Sequence, residues 1–193
     1  MKTKIILILA MFTVCFSCKK DVETTDSNEI LEIFEFLPNS NVIGTKTIGN
    51  GKSGTFKSLG GGVIHGSTKK GYFSLDITSY NASGDLREII SMGDIPIKKG
   101  NFPILIPGWV ENDDIIDVTY SRTAADGDVL VAYYLLNETQ FSNIEITDID
   151  TVANYVRGKL NVHFVMQGKS GIADLPNKVS FTSVNFDMKL FRR

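Results

Sequence analysis

VNFDMKL, residues 184–190, alternates apolar and polar side chains without a break. Successive side chains of a β-strand point to opposite faces, so this pattern predicts a strand with one face on a core and one face in water. The apolar face comprises Val184, Phe186, Met188 and Leu190, and the polar face comprises Asn185, Asp187 and Lys189. The strand is expected to end at Arg192 and Arg193.

The same two-residue period recurs upstream, interrupted by turn residues. It is present in residues 73–78, 86–92, 115–120, 129–136, 143–149 and 156–165. Asp126-Gly127 suits a tight hairpin because both residues tolerate positive φ. Pro103 and Pro107 restrict the run between them to a sheet edge or a loop. About nine short strands at this spacing predict an all-β fold, an antiparallel β-sandwich with a β-barrel as the alternative.

Residues 28–37 fit two structures. Glu29, Glu32 and Glu35 recur every third residue with apolar side chains between them, which predicts a short amphipathic helix with Ser27 as its cap. An alternating strand fits the same residues.

Residues 1–20 have the features of a secretion signal. Lys2 and Lys4 form a basic start, and residues 5–16 form an apolar run. The run is shorter than the ~20 residues that a membrane-spanning helix needs, and it fits the apolar region of a signal peptide. Ser17 is a small residue at the expected cleavage point, directly before Cys18.

The end of this run resembles the lipobox of bacterial lipoproteins, in which a small residue precedes a cysteine that becomes the lipidated chain start. Ser17 and Cys18 match that pattern, whereas Cys15 and Phe16 replace its commonest residues, as in the looser lipoboxes of Bacteroidota-type bacteria. The resemblance implies a signal peptide at 1–17, palmitate-type lipid on Cys18 and attachment to the outer membrane, with its periplasmic and surface faces both open. Residues 18–28 are then a flexible tether, and residues 29–193 a single β-rich domain.

The strand pattern resembles that of small lipoproteins of Bacteroidota-type bacteria that carry a domain of unknown function. The resemblance is carried by residues 71–77, 99–102, 144–147 and 156–162. It implies a β-sandwich and transfers no catalytic residue.

Cysteine content and charge exclude several classes of function. The chain has 2 cysteines; one leaves with the signal peptide and the other carries lipid, which excludes a thiol nucleophile, a disulfide and a thiolate metal site. The net charge is −2, and loss of Lys2 and Lys4 makes the mature chain more negative. This argues against nucleic-acid binding, which requires a positive surface.

The candidate site is an acidic stretch after the single tryptophan. It comprises Trp109, Glu111, Asn112, Asp113, Asp114 and Asp117. The oxygen atoms could bind Ca²⁺, the indole could stack on a sugar ring, and paired carboxylates could serve a glycosidase. The favoured interpretation is a solvated acidic turn with the tryptophan in the core, and no metal or cofactor is predicted.

Other motifs are interpreted structurally. Gly51-Lys52-Ser53 and Gly168-Lys169-Ser170 lack the upstream glycine of a phosphate loop and are predicted to be turns. Residues 60–62, all glycine, are predicted to form a turn entering a strand whose backbone passes close to a neighbour. His65 and His163 are predicted to be ordinary surface residues.

These observations favour a lipid-anchored cell-envelope protein that serves as a binding or structural module and is not an enzyme. Its expected partners are the membrane, through the lipid, and an envelope protein or glycan. The alternative is a carboxylate-dependent hydrolase that acts on envelope or extracellular glycans, with Asp113, Asp114 and Asp117 as candidate carboxylates.

Overall fold

The structure, a computed structural model, describes residues 41–49, 51–64, 71–105, 116–171 and 175–192. Every helix or strand element within these ranges is a strand, which confirms the prediction of an all-β fold. The strands are β1 (Val42–Ile48), β2 (Ser53–Ile64), β3 (Tyr72–Tyr80), β4 (Leu86–Pro96), β5 (Gly100–Pro103), β6 (Val118–Thr123), β7 (Leu130–Leu136), β8 (Asn143–Asp150), β9 (Tyr155–Lys169) and β10 (Lys178–Arg192). Residues 28–37, which fitted both helix and strand, fall outside the described ranges.

The strands form one 10-stranded sheet. Its hydrogen bonds run from β1 through β2, β3, β4, β6, β7, β9 and β10 and return to β1, so the sheet closes into a ring. β8 pairs with the first half of β9, and β5 extends the sheet beyond β8. Every ladder between these strands is antiparallel except the one between β10 and β2. The arrangement is consistent with the predicted sandwich, in which the two sides of the ring face each other.

β10 changes partner along its length. Its first part pairs with β1, where Val42 lies opposite Phe186, and its last residues, 189–192, pair in parallel with β2. The alternation predicted for 184–190 is confirmed, because the apolar members are buried and the polar members are exposed. Ser183, at a positive φ of 51°, lies in a bulge that interrupts the pairing with β9.

Aromatic rings fill the centre of the ring. Tyr120 is fully buried, and its ring centroid lies 4.8 Å from that of Tyr134, 5.4 Å from that of Phe164 and 5.3 Å from that of Phe181. Phe56 packs edge-on against Phe181 at 4.8 Å. Aromatic side chains bury about 150–250 Å² each, so this cluster supplies much of the apolar surface that folding removes from water.

The turn predictions have mixed outcomes. Gly51, at a φ of 83°, lies in the turn between β1 and β2, as predicted. Gly127, at a φ of 78°, donates its backbone N–H to the Ala124 carbonyl in the loop between β6 and β7, which confirms that turn. The prediction for 168–170 is wrong at Gly168, which pairs with Tyr133 inside the ladder of β9 and β7.

Pro103 is the last residue of β5, the strand at the end of the sheet order, so its predicted edge position is confirmed. Within the described ranges, no helix has the length and apolar character needed to cross a bilayer.

The glycines at 60–62 lie inside β2, so the predicted turn is wrong and the predicted close approach is confirmed. A Cβ on Gly60 would lie 2.2 Å from Met188 Cε, and a Cβ on Gly62 would lie 2.6 Å from Leu190 Cδ2. The absence of side chains therefore lets β2 approach β10 closely enough to complete the ring.

Gly158 in β9 has the tightest surroundings of the described glycines. A Cβ at this position would lie 2.1 Å from the backbone oxygen of Glu145 and 2.5 Å from Phe186 Cζ. The first of these atoms belongs to the β8 backbone and moves only if the ladder between β8 and β9 is distorted.

We therefore predict that Gly158→Ala lowers the free energy of unfolding by about 3 kcal/mol, as expected for strong overpacking. Urea denaturation at neutral pH measures the change. Gly168→Ala is the matched control, because this glycine is in the same strand and has no atom within 4 Å of its would-be Cβ; its effect should stay within about 1 kcal/mol. Equal stability of the two variants would contradict the prediction.

Candidate functional site

Asp117 is the member of the predicted acidic site that the structure describes. It is exposed, directly precedes β6, and accepts a hydrogen bond from Gly93 N at its backbone oxygen over 2.9 Å. Asp117 lines a cavity of 210 Å³, and the other lining residues are Leu105, Val118, Thr119, Tyr133, Leu135 and Leu136. Trp109, Glu111, Asn112, Asp113, Asp114 and the proposed lipidation residue Cys18 fall outside the described ranges, so their predicted roles stay predictions.

Five polar side chains meet in the interior of the ring, and sequence reasoning missed all of them. They are Lys46 of β1, Ser79 of β3, Glu88 of β4, and Tyr120 and Arg122 of β6. We call this set the interior charge cluster. Relative exposure is 8% for Lys46, 5% for Glu88 and 8% for Arg122. Because β2 and β3 lie between β1 and β4 in the ring, the pair formed by Lys46 and Glu88 crosses the interior.

The Glu88 carboxylate is the centre of the interior charge cluster. Its Oε1 accepts hydrogen bonds from Lys46 Nζ and from the Tyr120 hydroxyl, the latter over 2.7 Å. Arg122 Nε lies 3.5 Å from the same oxygen, and Ser79 Oγ donates to Oε2 over 3.3 Å. Both carboxylate oxygens therefore have donors in place of the water lost on burial.

Electrostatics keep the Glu88 carboxylate ionised. Burial alone would raise the pKa of Glu88, but the charges of Lys46 and Arg122 outweigh it and lower that pKa to about 2. Burial, followed by the charge of Glu88, raises the pKa of Tyr120 well above its usual value, so its hydroxyl remains a donor.

The cluster contains two cations and one anion, and this imbalance affects the pKa of Lys46. Burial lowers the pKa of Lys46; the charge of Glu88 opposes that effect, and the charge of Arg122 adds to it. The Lys46 ammonium also lies 5.9 Å from the ring centroid of Tyr120 and 5.7 Å from that of Phe181, distances at which aromatic faces attract a cation.

The sequence contains a signal for the interior charge cluster, namely the position of its charges in the alternating pattern. Glu88 is in phase with Ile90 and Met92, and Arg122 is in phase with Tyr120 and Val118, so each charge lies on the apolar face of its strand. A charge in the apolar phase of a predicted strand indicates a buried, paired group.

A second feature is an open groove of about 770 Å³ on the outside of the ring, beside the point where β10 changes partner from β1 to β2. We call it the outer groove. Asn41, directly before β1, lines it and fixes β2 there, because its side-chain amide donates to Gly60 O and accepts from Gly60 N, each over 2.8 Å. Gly61 adds no side chain, and its would-be Cβ lies 3.7 Å from the ring of Phe191.

Charged and aromatic side chains line the outer groove. Arg157 Nε donates to Asp187 Oδ2 over 2.9 Å, and its guanidinium carbon lies 4.7 Å from the ring centroid of Tyr155. Lys189 and Phe191 continue this surface along β10. Phe191 has 59% of its surface exposed. Tyr155 is fixed by its hydroxyl, which donates to Asp148 Oδ2 over 2.7 Å.

His163 lies on the polar face of β9, as predicted, but it is half-buried rather than at an open surface. Its Nδ1 is 2.8 Å from Ser180 Oγ, and burial lowers the pKa of its imidazole. His65 falls outside the described ranges. In the part of the chain that the structure describes, no group of three or more His, Cys, Asp or Glu side chains could hold a metal ion.

Comparison of the chain with family models, curated proteins and solved structures finds no significant match.

Because the interior charge cluster contains two cations and one anion, removal of the anion should lower the stability more than removal of one cation. Glu88→Gln removes the negative charge that Lys46 and Arg122 share in the cluster, so we expect the free energy of unfolding at pH 7 to fall by about 3–5 kcal/mol. Lys46→Met removes one cation and leaves Glu88 with Arg122, Tyr120 and Ser79, and we expect a loss of about 1 kcal/mol. Urea denaturation of both variants measures the difference, and a larger loss for Lys46→Met would contradict this description.

Proposed function

We propose that the chain is a lipid-anchored binding module of the bacterial cell envelope, and that the outer groove is its binding surface. The observation that carries the proposal is the groove itself, in which exposed Phe191 and the stacked pair of Tyr155 and Arg157 lie beside the backbone of Gly60. Aromatic and arginine side chains are the residues most enriched where proteins bind partners.

The filled interior supports the same proposal. Buried aromatic rings and the interior charge cluster occupy the centre of the ring, whereas the outer groove opens to solvent. The membrane anchor is supported by the apolar run and the cysteine at its end. Attachment through Cys18 would hold the domain at the outer membrane, with residues 18–28 as the tether.

The hydrolase alternative has less support. It needs a second carboxylate close to Asp117, and its candidates, Asp113 and Asp114, fall outside the described ranges, so no described geometry carries it. A binding role needs no such pair, so binding is the function that we propose.

The anchor is tested by Cys18→Ser, expressed in the native bacterium. The lipid accounts for membrane attachment, because each buried methylene contributes about 0.8 kcal/mol and two or more chains hold a protein durably. We expect the variant to leave the membrane fraction in ultracentrifugation, while Cys15→Ser, the matched control, stays with it. Retention of Cys18→Ser on membranes would show that the anchor is elsewhere or absent.

The binding surface is tested by a photo-crosslinking residue placed at Phe191 in the native bacterium. We expect irradiation to join the protein to an envelope component, seen as a shift in mass. Phe141 is the matched control, since it is also an exposed phenylalanine, with 70% of its surface exposed, and lies outside the outer groove. The absence of an adduct at Phe191, or equal adducts at both positions, would refute the assignment of the groove.

A further inference from the structure

We propose that the occupant of the outer groove is an anionic glycan, a chain of sugar rings bearing carboxylate groups. This inference rests on the proposed binding function and names the ligand of that same groove.

The charges that line the groove favour an anion. The groove contains two cations, Arg157 and Lys189, and one carboxylate, that of Asp187. It therefore has a local positive charge on a protein whose net charge is −2. The nearby carboxylate of Asp148 lies 4.0 Å from Arg157 Nη1 and 2.7 Å from Lys99 Nζ, so counting Asp148 together with Lys99 leaves the local charge positive. A positive groove on an acidic protein selects anionic ligands and speeds their association.

The two cations have different roles. Asp187 holds the Nε edge of the Arg157 guanidinium, Tyr155 packs on one of its faces, and Asp148 Oδ2 lies 4.0 Å from its Nη1, so the planar group has a fixed orientation. Arginine in such a fixed position suits the two oxygens of a carboxylate. Among the described residues, the ammonium of Lys189 makes no ion pair or side-chain hydrogen bond, and it is available to a second anionic group.

The aromatic side chains favour sugar rings. A sugar ring has an apolar face of C–H groups and a rim of hydroxyl groups, and it packs on an exposed aromatic face while its hydroxyls bond to neighbouring polar groups. Phe191 provides the exposed face, and Lys189 and Asp187 lie on the same strand, two and four residues away.

The backbone of the groove argues against an extended peptide as the occupant. Peptides that add to a sheet need a strand edge with unpaired N–H and C=O groups. Here the last residues of β10 pair with β2 on one side, and Met188 and Lys189 pair with β9 on the other. Among the described residues of the groove, Lys189 is therefore paired on both sides, and the groove offers an occupant side chains and the backbone of Gly60.

Isothermal titration calorimetry of the purified full chain tests this inference with three probes. They are a galacturonic acid hexamer, a neutral galactose hexamer and a glutamic acid hexapeptide. We expect binding of the galacturonic acid hexamer, at least tenfold weaker binding of the other two, and affinity for the acidic sugar that falls as salt rises, because the contacts are solvent-exposed.

Variants show whether that binding uses the groove. Phe191→Ala and Lys189→Ala should each weaken binding of the galacturonic acid hexamer about tenfold, a change of about 1.4 kcal/mol. Phe141→Ala and Lys178→Ala are the matched controls, because both residues are exposed and lie outside the groove; they should change the affinity less than about twofold, within the scatter of near-neutral contacts.

Equal binding of the glutamic acid hexapeptide would overturn the glycan in favour of an acidic protein segment, and equal binding of the neutral hexamer would overturn the role of charge. No binding of any probe, together with a crosslink at Phe191 in cells, would refute the glycan and leave the binding function standing. No probe binding and no crosslink would refute both.

Discussion

The buried carboxylate of Glu88 determines how the two sides of the ring meet. A charge in an apolar interior is tolerated only when partners replace its water. Those partners come from β1, β3 and β6, so each of these strands must present particular residues to the same point, and β6 presents both Tyr120 and Arg122. A slip of one residue in any of them would turn its donor to the outside. The interior charge cluster is thus a constraint on register across strands that the chain separates widely.

Closure of the ring depends on a second constraint, the close approach of β2 to β10. The glycines of β2 allow it, and β10 pairs with β2 only from Lys189 onwards, after its last pairing with β1 at Phe186, which places this change of partner beside Asn41 and the outer groove. The feature that closes the ring therefore also creates the outer groove. Because charges and aromatic rings fill the interior, we place the proposed binding function on the outside, where Arg157, Lys189 and Phe191 are accessible.

Much of the fold follows from the sequence, and the site does not. The two-residue period of segments such as 184–190 correctly predicted strands, their buried faces and the all-β class. It could not predict closure, since pairing of β10 with β1 and with β2 depends on contacts between distant parts of the chain. The apolar members of β4 suffice to predict that strand, so the strand prediction does not depend on Glu88. The residues of the outer groove come from four separate segments, none of which carries a recognisable motif.

The carbon chemical shift of the Glu88 carboxyl, followed by NMR from pH 7 down to pH 2, tests the central claim most directly. Since its pKa is lowered from 4.5 to about 2, the stabilisation from this carboxylate should be complete above about pH 4.5 and be lost only as the pH falls towards 2. We predict that the signal shows no titration step above about pH 3 while the protein remains folded. A titration step near 4.5 in the folded protein would show that Glu88 is not held between Lys46 and Arg122, and would contradict the account.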